Sequence, residues 1–153
     1  MLRTPTAASS RPITPSAGTV CRMVRSVASV FGIAFLAVGV LGFLLNPAGG
    51  ELLGIFAVNV AHNLVHVAFG VLGIAAAYAG WSRLYLQGVG VIYLLLCVLG
   101  FIPGLYVGED MLLGLVHINL ADNFLHLVLG GAAAFVGFAP QHAGRGSSTT
   151  REA

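Results

Sequence analysis

A chain of 153 residues in which 58% are hydrophobic and only 8% charged carries more apolar surface than a globule of this size can hide, since soluble domains average about 25% charged residues. That balance argues against a soluble domain and makes the lipid bilayer the expected partner. A net charge of +2 on thinly spread arginines argues against nucleic acid as a second one.

Residues 1–26 are expected to form a disordered tail, because the first twenty are rich in Ser, Thr, Pro and Ala and cannot bury enough surface to order themselves. The first span is predicted over 27–45. Its apolar run exceeds that of a secretory signal, so it should persist as a helix, stopped by Asn46 and Pro47. Glu51 then leads into LLGIF, a stretch too short to cross and expected to make an interfacial turn. The second span covers about 58–79, after which Tyr78, Trp81 and Tyr85 surround Arg83 as an interfacial aromatic cluster. The third covers about 84–102 and ends before Pro103; Tyr93 and Cys97 within it read as packing residues. Glu109 and Asp110 introduce MLLGLV, the fourth span covers about 118–138, and the polar residues 139–153 are expected to be a second disordered tail. These spans lack the alternating polarity of barrel strands. The expected fold is therefore an all-α membrane protein of four transmembrane helices running up-down-up-down.

The two halves echo each other. Leu52 to Gly70 and Leu112 to Gly130 are identical at eight of nineteen positions, among them Asn59/Asn119, Asn63/Asn123, His66/His126 and Gly70/Gly130. Polar residues recurring at matched positions within apolar segments mark the place to look for function. Two crossings per unit return the chain to its starting side, so the expected arrangement is two tandem parallel two-helix repeats. Arginine sets the orientation. Arg3, Arg11, Arg22 and Arg25 precede the first span, Arg83 lies between the second and third, and Arg145 and Arg151 follow the fourth, whereas the opposite loops carry Glu51, Glu109 and Asp110. The positive-inside rule then places both termini in the cytoplasm.

At helical spacing Asn59, Asn63, His66, Gly70 and Gly73 share one stripe with His62 at its edge, and Asn119, Asp122, Asn123, His126 and Gly130 share its counterpart. Both faces should point into the bundle, polar toward the outer interface and small below it. The segments GFLLNP, LLGIFAVN, HNLVH and ADNFLH on four spans resemble the uncharacterised bacterial membrane family called domain of unknown function 4383, over roughly Val27 to Phe138. The resemblance implies a multi-pass protein of the bacterial plasma membrane. It brings no activity, substrate or cofactor.

Three readings of the paired motif follow. In the leading one, Asn59, Asn63, His66, Asn119, Asn123 and His126 form a structural hydrogen-bond network in the outer half of the second and fourth helices, with no cofactor. In the second, His62 with His66 and Asp122 with His126, both spaced i, i+4, offer three imidazoles and a carboxylate to a metal, or His66 and His126 act as axial ligands to a haem. In the third, the stripe lines the vestibule of a small transporter or channel subunit. Cys21, placed in the tail, and Cys97 form no CxxC, so neither a disulfide nor a cysteine metal site is expected. His117 is expected to be solvated, and His142 to lie idle in the tail. GxSxG, GK[ST] and HExxH are absent from the sequence, so catalysis is not expected and no catalytic residue is assigned. Glycine-rich helix faces permit a homo-oligomer.

Overall fold

The computed structural model describes residues 16–108 and 110–140. The two tails' outer parts, with Arg3, Arg11, His142, Arg145 and Arg151, and also Glu109, lie outside the described residues. Among those described, α1 (Ala17–Leu45), α2 (Val60–Ala79), α3 (Ser82–Gly100) and α4 (Leu120–Phe138) are each long and apolar enough to cross a membrane. Residues such as Ile33, Leu44, Val71, Val98 and Phe135 point outward, which suits lipid and would be costly in water.

α1 starts ten residues before the expected span, so residues 17–26 are helix rather than tail. Ser16 caps it, its Oγ accepting from the Thr19 N–H at 3.3 Å. Arg22 and Arg25 interrupt the hydrophobic run but not the i, i+4 stripe of Val20, Val24 and Ala28, of which Val24 and Ala28 are buried in the core. The stripe, not the run, decides where this helix begins. Cys21 accordingly sits on α1, exposed.

α1 packs chiefly on α2, and α3 chiefly on α4. A methyl group added at Gly32 would stand 2.7 Å from the backbone N of Ile74, and one at Gly90 2.7 Å from that of Ala134. Helix backbones approach this closely only across glycine. These contacts run in opposite sequence order along each pair, so neighbouring helices are antiparallel. At the centre Phe35 stacks on Tyr93 with ring centroids 5.1 Å apart. At the arginine-rich end, Arg83 donates to the Ala139 carbonyl at 2.7 Å and Gln87 to that of Gly137 at 3.0 Å, supplying partners for the orphan carbonyls that end α4.

The opposite end is not made of simple turns. LLGIF folds into a hairpin of β1 (Gly50–Leu52) and β2 (Phe56–Val58), paired Leu52 to Phe56. In the second half β3 (Tyr106–Val107), β4 (Met111–Leu112) and β5 (Val116–His117) make a three-stranded antiparallel sheet after a 3-10 turn at Pro103–Leu105. Each hairpin turns through a Leu-Gly pair with positive φ: Leu53 at 57° and Gly54 at 68°, Leu113 at 53° and Gly114 at 70°. That is the primed geometry a tight hairpin demands, though leucine adopts it reluctantly.

Candidate functional site

The two hairpins lie at one end of the bundle, with β2 and β5 in contact, and the repeated polar residues sit in and beneath them in two tiers. The upper tier is built from helix caps. The Asn59 Oδ1 accepts from the His62 N–H at 2.9 Å, closing the start of α2, and the Asn119 Oδ1 accepts from the Asp122 N–H at 3.1 Å, closing that of α4. Asp122 completes a capping box, its Oδ2 accepting from the Asn119 N–H at 2.9 Å.

The other ends of these side chains cross to the opposite half. The Asn59 Nδ2 donates to the Leu115 carbonyl at 2.9 Å, in the turn of the second hairpin, and the Asn119 Nδ2 donates to the Ile55 carbonyl at 2.8 Å, in the turn of the first. Below them, His62 Nδ1 meets the His117 carbonyl at 2.9 Å, and Asp122 Oδ2 accepts from the Ala57 N–H at 3.0 Å. A carbonyl only accepts, so His62 carries its proton on Nδ1. At matched positions the imidazole donates to one hairpin and the carboxylate accepts from the other. Four bonds in all, two at each helix start, thus tie the halves together through a strand or turn of the opposite one.

The lower tier is different. Asn63, His66, Asn123 and His126 are all buried, yet both polar atoms of Asn63, Nδ1 of His66, Nδ1 of His126 and Oδ1 of Asn123 have no hydrogen-bond partner. The one exception is Asn123 Nδ2, which donates to the Gly100 carbonyl at 2.9 Å, an oxygen also reached by the Tyr106 hydroxyl at 2.8 Å. In the first half the Asn46 N–H takes the Gly42 carbonyl at 2.9 Å. Asn63 presses on Gly42 as Asn123 presses on Gly100, and a Cβ at either glycine would collide with the carboxamide.

The imidazoles gather without bonding. His62 stacks on His66 at 4.8 Å between centroids, and His126 lies 6.4 Å from His62. Phe35 meets His66 edge-on at 5.5 Å, and Tyr93 meets His126 in the same way at 5.0 Å. An apolar cavity of about 300 Å³ between α1 and α4, walled by Phe31, Phe35 and Leu125, reaches His62, His66 and Asp122.

Three expectations can be set beside this geometry. The single network expected of Asn59, Asn63, His66, Asn119, Asn123 and His126 divides, because the hairpins supply backbone partners only to the residues level with them. The metal set of His62, His66, Asp122 and His126 is not assembled as a centre: among the described residues no group of three or more His, Cys, Asp or Glu side chains is placed to hold a metal ion, and two of the donors are turned to backbone. His117, expected to be solvated, stands with Nε2 3.6 Å from the Asp110 carboxylate. The hairpins themselves escaped sequence reasoning, as did Gly100. The available signal was the Leu-Gly dipeptide repeated at equal distance before each Asn.

A family model described as Domain of unknown function (DUF4383) matches residues 25–139. No curated protein and no solved structure matches the chain.

Proposed function

The chain belongs to this family of unknown function, and from that premise we propose that its repeated Asn/His motif is a structural clasp holding together two tandem, parallel two-helix repeats in the plasma membrane. The observation that carries the reading is the exchange of side-chain bonds, Asn59 to Leu115 and Asn119 to Ile55. In a bilayer, helix association lacks the hydrophobic drive available in water, so such bonds matter to assembly. The matched glycine contacts and the eight identities between Leu52–Gly70 and Leu112–Gly130 support duplication. The positive-inside rule supports cytoplasmic termini, with Arg22, Arg25 and Arg83 at the end away from the hairpins.

The test separates the cap from the clasp. In Asn59→Asp/Asn119→Asp each helix keeps an acceptor for its cap but loses the donor that crosses to the other half. Thermal unfolding in detergent should fall by about 5–10 °C, from roughly 1–2 kcal/mol per lost bond. Unchanged stability would overturn the clasp. A second reading, a small transporter or channel subunit, draws support from His62, His66 and Asp122 bordering the apolar cavity.

A further inference from the structure

The arginine-rich end of the bundle holds a larger cavity, of about 520 Å³, that the clasp does not use. It is formed where α1 begins and where α2 turns into α3. Val20, Val24 and Ala77 give it apolar walls, and Arg25 and Arg83 bring two guanidinium-bearing side chains to its lining. Charge is unbalanced here. The described carboxylates, Glu51, Asp110 and Asp122, all belong to the hairpin end of the molecule.

Each arginine is held by one contact and keeps further donors. The Arg25 guanidinium lies over the Tyr78 ring at 5.8 Å, and one Arg83 nitrogen donates to the Ala139 carbonyl at 2.7 Å, leaving its other N–H groups for a ligand. α3 opens on this cavity at Ser82 and Arg83 with no side-chain cap. Its first-turn N–H groups therefore lack the intrahelical acceptors that later turns possess, and they carry the positive end of the helix dipole. Two cations and a helix start above an apolar wall provide the chemistry that receives a phosphate carrying hydrocarbon.

We propose that this cavity binds the phosphate group of an anionic glycerophospholipid, with Arg25 and Arg83 on the phosphate and Val20, Val24 and Ala77 against its chains. The apolar wall favours a lipid over free phosphate. The charge favours an anionic headgroup over a zwitterionic one, whose own ammonium would meet the arginines.

The experiment uses the full chain in detergent with equal amounts of dioleoylphosphatidylglycerol and dioleoylphosphatidylcholine, and native mass spectrometry reads the retained lipid. The wild type should retain phosphatidylglycerol about tenfold or more over phosphatidylcholine. Arg25→Gln/Arg83→Gln should abolish the preference, while Arg25→Lys/Arg83→Lys should keep most of it. Because Arg83 also holds the end of α4, Arg25→Gln alone is measured beside the pair, and it should lose part of the preference with its unfolding temperature unchanged. Equal retention in the wild type, or a preference that survives the double glutamine variant, would overturn the proposal. So would displacement of phosphatidylglycerol by millimolar inorganic phosphate, which would make the site one for soluble phosphate.

Discussion

The upper and lower tiers of the polar cluster are made from similar residue types only one helical turn apart, yet every side chain of the upper tier bonds to the other half and none of the lower tier does. Asn59, His62, Asn119 and Asp122 face hairpin backbone and find partners on it. Asn63, His66 and His126 face helix, glycine and aromatic rings, where backbone donors and acceptors are already used within the helices. A polar side chain among apolar helices thus finds a partner or not according to whether irregular backbone lies within its reach. The upper tier meets that condition because each half of the chain folds a hairpin over the start of the other half's second helix.

After the aspartate pair, the largest effect that sharpens this contrast is expected from Gly100→Ala. The added methyl group would drive the Asn123 carboxamide from the Gly100 carbonyl, lowering stability by about 2 kcal/mol in a denaturation series. A value near zero would show that the helices separate freely there. Smaller is the effect of His66→Phe/His126→Phe, which keeps aromatic bulk against Phe35 and Tyr93 but removes unpartnered nitrogens. Stability should stay within about 1 kcal/mol of wild type. A loss comparable to that of the upper-tier variants would erase the distinction between tiers. Smallest is Leu53→Asn, which relieves a left-handed leucine in the exposed hairpin turn and should raise the unfolding free energy by roughly 0.5 kcal/mol.

Much of the fold was legible because its determinants are local. Apolar length marked all four helices, and Pro47 and Pro103 marked where the odd-numbered ones stop. The start of α1 was missed because arginines at 22 and 25 lower the hydropathy of a segment whose buried stripe continues through Val24 and Ala28. In the candidate site, the matched Asn, His and Gly positions were visible as a pattern, but their partners were not. Leu115, Ile55, His117 and Ala57 contribute backbone groups, to which side-chain identity gives no clue, and they lie far along the sequence from the residues they meet. The close contact of Asn63 and Asn123 with Gly42 and Gly100 depends on the same tertiary approach.

The most direct test of the clasp is hydrogen exchange at the backbone amide of Ala57, whose N–H donates to Asp122 from the other half at 3.0 Å. In Asp122→Ala this amide should exchange at least about tenfold faster, as expected when an opening becomes more favourable by about 1.4 kcal/mol or more, while amides in the middle of α2 keep their protection. Unchanged exchange at Ala57 would contradict the account, because the first hairpin would then be held in place without its bond to Asp122.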